Sequence, residues 1–238
     1  MNSYIEKITD EVKLTRGLQF AVLPGYDADH TETPLALDVY EPAGDTETKR
    51  HAIIFVHGGG FINGTRDNGY PPVLCTLFAK HGYVCFSIDY RLYPSGKERG
   101  THADAAPHAA KDVELARKWI FERADEFGID TDKVAIGGGS AGGMAGIEAC
   151  KLYKYSAFAC LWGTHKGSSP ADDFPPTFLV HGTADQLVAY ENCEKFCAQL
   201  QEKNLTYQLI TLKDAPHTPM SAIGTFAPPM IEFLYKYI

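Results

Sequence analysis

The sequence predicts an α/β protein built on a mostly parallel, twisted sheet with helices on both faces. Strand-like and helix-like segments alternate along most of the chain, which is the pattern of a parallel sheet with crossover helices. The apolar run at 51–56 ends in glycines, as expected for a strand that is buried on both faces. No Pro-, Gly- or Ser-rich linker divides the 238 residues, of which 45% are hydrophobic. We therefore expect one domain over residues 1–238.

Eight strands and five helices are predicted in chain order. The strands are expected over 12–22, 33–41, 51–56, 83–90, 133–138, 156–162, 177–182 and 206–212. The helices are expected over 72–81, 103–126, 141–153, 188–203 and 221–237. Pro228 and Pro229 are expected to kink or delay the last helix. Ligand sites in such sheets lie beyond the carboxyl ends of the strands, so the residues that follow each strand are the informative ones.

Composition excludes several classes of function. The net charge is −8 and no basic run is present, so a nucleic-acid partner has little support. No apolar run reaches transmembrane length, and the first residues contain no signal-peptide core, which predicts a cytoplasmic protein unless a leader has been removed. The six cysteines form no Cys-x-x-Cys pair and are expected to be reduced core thiols. No His/Cys cluster has ligand spacing, so we expect neither metal nor cofactor.

The segment 138–142 reads GGSAG, a G-x-S-x-G pattern between a predicted strand and a predicted helix. Such a sharp turn exposes its serine at a strained backbone position, with the helix N-terminus directed at the reacting centre. Ser140 is therefore a candidate nucleophile. The overlapping G-x-G-x-x-G at 137–142 also fits a dinucleotide-binding turn, but that turn needs an acid after the next strand, and 161–165 contains none. A turn needed only for packing is the third interpretation.

A second glycine cluster, HGGGF at 57–61, follows the buried strand at 51–56. Acyl hydrolysis passes through a tetrahedral oxyanion, which requires preorganised N–H donors. Glycines allow the backbone to approach the substrate closely and to present its N–H groups. A phosphate-binding loop is the alternative, but no Gly-Lys-Ser/Thr follows the cluster.

The acid and the base are predicted from the chain order Ser, Asp, His that a hydrolase of this topology uses. Asp185 and His217 each lie just past a strand end, in that order. His57 and His181 also end strands, and both are expected to form only local hydrogen bonds. The alternatives are polar residues of neighbouring loops: His165 as base, and Asp214, Asp172 or Asp173 as acid.

Four motifs together resemble a known family. HGGGF at 57–61, DYRLYP at 89–94, GGSAGG at 138–143 and HGTAD at 181–185 are similar to the esterase/lipase branch of the α/β-hydrolases, over about residues 35–238. That branch includes hormone-sensitive-lipase-like esterases and acetyl or feruloyl esterases. The resemblance implies the α/β-hydrolase fold with an eight-stranded sheet. It assigns the site residues as follows: Ser140 nucleophile, Asp185 orienting acid, His217 base, and Gly59, Gly60 and Ala141 oxyanion donors.

The chain departs from that pattern in two places. Lipase-like relatives carry a long insert between the strands that correspond to 156–162 and 177–182, but here only residues 163–176 separate them, so little or no cap is expected. The second departure is Gly139, which stands where many relatives have Asp. The resemblance implies hydrolysis of short-chain or aromatic acyl esters through an acyl-enzyme, on a small-molecule or oligosaccharide ester such as acetylated or feruloylated carbohydrate. A kynurenine-formamidase-like amide hydrolase is the alternative.

Three aromatic residues are expected either to line the substrate pocket or to pack the loops: Phe61, Tyr93 and Trp162. Oligomeric state stays open.

Overall fold

The computed structural model describes residues 4–94 and 100–238. Eight strands form one sheet in the spatial order β1-β2-β4-β3-β5-β6-β7-β8. The strands are β1 (Val12–Pro24), β2 (Glu32–Pro42), β3 (Arg50–Val56), β4 (Val84–Ile88), β5 (Ile129–Gly139), β6 (Phe158–Leu161), β7 (Thr177–Gly182) and β8 (Tyr207–Leu212). The helices are α1 (Tyr70–Lys80), α2 (His102–Phe121), α3 (Ala141–Leu152), α4 (Tyr190–Glu202) and α5 (Ile223–Tyr237).

The sheet is mostly parallel, as predicted. Strand β2 pairs antiparallel with both β1 and β4, and the remaining neighbours pair in parallel. The carboxyl ends of β3, β5, β7 and β8 therefore point to the same edge of the sheet. This edge brings together the two glycine clusters and the loops that follow β7 and β8.

Two apolar cores lie on opposite faces of the sheet. Every residue of β3 is buried, and its alternate side chains point to opposite faces. Ala52, Ile54 and Val56 belong to the first core, which α2, α3 and α4 cover. Ile53 and Phe55 belong to the second core, which α1 and α5 cover. The sheet therefore lies between two layers of helices. No described helix is long and apolar enough to cross a membrane.

The predicted boundaries of two elements are wrong. Helix α2 ends at Phe121 instead of at 126, and turns lead into β5. Strand β5 begins at Ile129 because Ile129 pairs with Arg50 of β3, a contact that local sequence does not reveal. The six cysteines are free and buried, as predicted.

Pro228 and Pro229 lie inside α5 without ending it. The helix continues because Phe226, Met230 and Leu234 repeat at helical spacing and are buried in the second core. The predicted delay by these prolines is wrong, because the helix begins at Ile223, before both of them, directly after a 3-10 turn at Met220–Ala222.

Candidate active site

Ser140 lies on a sharp turn between β5 and α3. Its φ of 54° and ψ of −125° are unusual for a residue with a side chain. The turn is too tightly packed for side chains at two of its glycines. A Cβ on Gly142 would lie 2.0 Å from the Val56 carbonyl oxygen, and a Cβ on Gly138 would lie 2.3 Å from the Gly142 carbonyl oxygen. These glycines therefore accommodate the protein's own backbone, so they do not support the dinucleotide interpretation of the turn.

Ser140, His217 and Asp185 form one hydrogen-bonded chain. The Ser140 Oγ is 3.0 Å from His217 Nε2, and His217 Nδ1 is 2.7 Å from Asp185 Oδ2. Because a carboxylate accepts, Nδ1 carries the proton of the neutral imidazole, and Nε2 is free to accept the serine proton. The geometry is that of a nucleophile, a base and a group that orients the base.

The loop that follows β7 holds Asp185 in its ionised form. The Asp185 carboxylate has no exposed side-chain area, and its Oδ1 accepts hydrogen bonds of 2.9 Å from the N–H groups of Leu187 and Val188. Burial by itself raises the pKa of Asp185, but hydrogen bonds from His217 and from these two amides outweigh it. The pKa of Asp185 therefore lies below its ordinary value.

The glycine turn after β3 faces Ser140 across a cavity of about 570 Å³. Gly59 and Gly60 have φ values of 110° and 61°, and both line this cavity together with Ser140 and His217. Ala141 is the first residue of α3, and the N–H at that position of a helix has no partner within the helix. The backbone of this site can thus supply N–H donors from two sides.

The DYRLYP segment holds this glycine turn in place. The Tyr90 hydroxyl donates to the His57 carbonyl oxygen at 3.2 Å, and the two rings stack 4.3 Å apart. The Tyr93 N–H donates to the Phe61 carbonyl oxygen at 2.8 Å. Burial lowers the pKa of His57, whose Nδ1 lies 2.7 Å from the Gly58 carbonyl oxygen. His57 is therefore a neutral structural residue of the turn, with the local hydrogen bond that we expected.

The structure resembles solved esterase structures over nearly its whole length. An esterase from the planctomycete Thermogutta terrifontis matches with a TM-score of 0.71 at 23% identity, covering 90% of this chain and 91% of the esterase. The BD-FAE family model matches residues 37–153, and the prolyl oligopeptidase family model matches residues 164–238. The chain has the α/β-hydrolase fold.

Curated proteins similar to this chain include enzymes that are named as ester hydrolases. The carboxylic ester hydrolase LipN of Mycobacterium tuberculosis is 37% identical over 120 residues, covering 50% of this chain and 29% of LipN. The ethyl acetate hydrolase of Pseudomonas putida is 32% identical over 113 residues, covering 47% of this chain and 32% of that enzyme. The chain thus spans less than a third of the length of these relatives.

None of the three aromatic residues expected either to line the pocket or to pack the loops borders the cavity beside Ser140. Phe61 and Trp162 are buried, with 1% and 0% of their surface exposed, and neither borders the cavity. Tyr93 stacks on Tyr26 at 4.2 Å and hydrogen-bonds to His108, away from the cavity. The loop-packing alternative was right, because these rings bury more surface against the core than an open cleft would allow.

The alternative acids and base lie apart from Ser140. The His165 Nδ1 is 2.8 Å from the Lys166 carbonyl oxygen, and His165 does not line the cavity. The Asp214 side chain is exposed, and Asp172 pairs with Lys203. Asp173 is likewise exposed at the surface.

Sequence reasoning missed a second histidine on the carboxylate of Asp185. The His181 Nε2 lies 3.1 Å from Asp185 Oδ2 and 2.9 Å from the Val188 carbonyl oxygen. Both partners are acceptors, so Nε2 carries the proton. Burial lowers the pKa of His181 and keeps its ring neutral. The H-G-x-x-D spacing of HGTAD was the available signal, because a strand-terminal His four residues before the acid can reach back to it.

Proposed function

We propose that this chain is a serine carboxylic-ester hydrolase that acts through an acyl-enzyme on neutral, short-chain acyl esters. The observation that carries the proposal is the hydrogen-bonded chain from Ser140 through His217 to Asp185 at the floor of an open cavity. The names of the curated relatives, which include an ethyl acetate hydrolase, support the same class of reaction.

Acylation begins when Ser140 Oγ attacks the carbonyl carbon of the ester and its proton moves to His217 Nε2. The carbonyl electron pair moves onto oxygen, and the N–H groups of Gly59, Gly60 and Ala141 stabilise the resulting oxyanion. The tetrahedral intermediate collapses by breaking the bond to the alcohol oxygen, which leaves with the proton from Nε2. Asp185 keeps Nδ1 protonated and stabilises the imidazolium while it exists.

Deacylation repeats these steps with water. Water loses a proton to His217 Nε2 and attacks the acyl carbon. The second oxyanion that results accepts hydrogen bonds from the same N–H groups. Its collapse breaks the bond to Ser140 Oγ, which takes back the proton from Nε2. The products are one alcohol and one carboxylic acid, and the enzyme returns to its starting state.

The lining of the cavity supports a neutral substrate. Among the residues that the structure describes, this lining contains no Asp, Glu, Lys or Arg. Its apolar side chains come from Ile62, Met144, Leu187 and Val188. Leu187 is 75% exposed at the rim, so no residue within 4–94 and 100–238 covers this part of the site. The fold neighbour from Thermogutta terrifontis has been solved with propionate and with butyrate bound, which also favours short acyl groups.

A substrate panel with a covalent probe tests this proposal. We expect the protein to hydrolyse nitrophenyl acetate and butyrate, and a fluorophosphonate to label Ser140 in the wild type but not in Ser140→Ala. Methyl ferulate and acetylated xylo-oligosaccharide test aromatic and carbohydrate esters, and N-formylkynurenine tests the formamidase alternative. Absence of both ester hydrolysis and labelling would overturn the proposal. A preference for N-formylkynurenine over every ester would assign the chain to the amide hydrolases instead.

A further inference from the structure

Tyr70 lies between the two glycine turns of the site. It is the first residue of α1, and only 5% of its surface is exposed. Its hydroxyl accepts a hydrogen bond from the Gly139 N–H and donates one to the Val56 carbonyl oxygen. One hydroxyl therefore contacts the backbone just before Ser140 and the backbone just before the glycine turn 57–60.

These two hydrogen bonds continue the β3–β5 ladder. Val56 is paired in parallel with Gly138, at the end of that register. At the end of this register, the Tyr70 hydroxyl connects the C=O group of Val56 to the N–H group of Gly139. The hydroxyl thus bridges the strand that leads to the nucleophile and the strand that leads to the oxyanion turn.

The same ring explains why residue 139 has no side chain. A Cβ on Gly139 would lie 3.0 Å from Tyr70 Cε1 and 2.8 Å from Trp162 Nε1. The Tyr70 and Trp162 rings meet edge to face, with their centroids 5.6 Å apart. Many related esterases carry Asp at the position before the nucleophile. In this chain the rings of Tyr70 and Trp162 occupy the space that a side chain at residue 139 would need.

We propose that Tyr70 is a positioning residue that sets the distance between the Ser140 turn and the oxyanion turn. This inference rests on the proposed hydrolase function. Removal of the hydroxyl leaves the Gly139 N–H and the Val56 C=O without their shared partner in a buried setting, and the two turns can then shift relative to each other. Catalysis depends on their spacing more than substrate binding does, because the oxyanion forms only during the reaction.

The test is Tyr70→Phe, with Tyr83→Phe as the matched control. Tyr83 is fully buried, and its hydroxyl has no hydrogen-bond partner within residues 4–94 and 100–238. For Tyr70→Phe we expect kcat to fall about tenfold to a hundredfold, because displacements near 1 Å have effects of that size. We expect KM to stay within about twofold, since a loss confined to the transition state leaves ground-state binding unchanged. Tyr83→Phe is expected to retain wild-type kcat and KM.

Activity is measured on nitrophenyl acetate well below each variant's melting temperature, and kcat is calculated per fluorophosphonate-labelled site. A Tyr70→Phe protein that has wild-type kcat would overturn the proposal, even if its Tm were lower, because the hydroxyl would then be purely structural. An equal loss of kcat in Tyr83→Phe would also overturn it. An inactive, unlabelled wild type would instead reject the proposed function.

If Tyr70→Phe does not fold, a ring-fluorinated tyrosine introduced at residue 70 replaces it. Fluorination keeps the hydroxyl but makes it a weaker acceptor of the Gly139 N–H and a stronger donor to the Val56 C=O, so the two hydrogen bonds that link the turns change in opposite directions. A reduced kcat relative to the same replacement at residue 83 supports the proposal, and an unchanged kcat overturns it.

Discussion

The site is built from two kinds of region. The turn after β3, residues 57–60, contributes backbone groups whose placement depends on left-handed φ values at Gly59 and Gly60. The loops after β7 and β8 contribute side chains, Asp185 and His217, which are hydrogen-bonded to each other. Asp185 Oδ1 also accepts the N–H groups of Leu187 and Val188, and the oxygen of an asparagine can still accept them. A change of chemistry in the first region requires a change of backbone shape, whereas a substitution of similar shape in the second, such as Asp185→Asn, removes the charge and keeps an acceptor for the loop. Substitutions in the two regions should therefore have different signatures.

The largest effect is expected for Ser140→Ala, which removes a side chain and leaves its turn intact. We expect kcat/KM to fall by about 10⁴-fold or more, because the nucleophile acts as a unit with its base and acid. The midpoint of thermal unfolding should change little, since alanine fits a turn of small residues. Ester hydrolysis kinetics and thermal unfolding measure the two quantities. Activity within tenfold of wild type would identify another nucleophile.

Asp185→Asn should have the next largest effect. The amide favours the wrong tautomer of His217, and in the serine-protease example of this change kcat falls about 10⁴-fold. We expect a loss of about 10³-fold or more here on the same physical grounds. Asp214→Asn is the matched control, because Asp214 is exposed in the neighbouring loop. If Asp214→Asn were the more damaging change in kcat, the assignment of the acid would be wrong.

Gly60→Ala tests the backbone region. At a φ of 61° a Cβ introduces strain of about 1–2 kcal/mol, and relief of that strain moves the N–H groups of the turn. We expect kcat to fall about tenfold to a hundredfold, together with a lower Tm. Gly224→Ala is the control, since a Cβ there meets nothing within 4 Å and Gly224 lies in α5. Unchanged kcat with a lower Tm would show that Gly60 has only a structural role.

The smallest effect concerns the pH dependence of stability through Asp185. The folded-state pKa of Asp185 lies below that of the unfolded chain, so the ionised carboxylate stabilises the fold at neutral pH. This contribution is lost only as the pH falls through the folded-state pKa. The difference in unfolding free energy between wild type and Asp185→Asn should therefore be constant down to about pH 5 and should shrink below about pH 4. Urea titrations measure it, and a difference that disappears above pH 5 would contradict the assigned direction.

The two regions also differ in how well the sequence predicted them. Chain order and strand ends were enough to predict that Ser140, Asp185 and His217 come together, because parallel strands place their carboxyl ends at one edge. The contacts of Tyr70 were missed because they depend on how α1 packs against the ends of β3 and β5. The contact of His181 with Asp185 was missed although the two residues are only four apart. The sequence left the roles of Phe61, Tyr93 and Trp162 open between pocket lining and loop packing, because an aromatic residue beside a motif looks the same in sequence whether it faces a ligand or the core.

Trp162 is a fluorescent side chain next to the candidate active site. The chain has two tryptophans: Trp162 is fully buried beside Tyr70 and Gly139, whereas Trp119 is partly exposed on α2 and packs against Phe127. A water-soluble quencher should therefore quench the fluorescence of Trp119 at lower concentrations than that of Trp162. The remaining blue-shifted fluorescence would come from an indole that touches the nucleophile turn, so stopped-flow fluorescence could follow the arrival of an acyl group at Ser140 without any added dye.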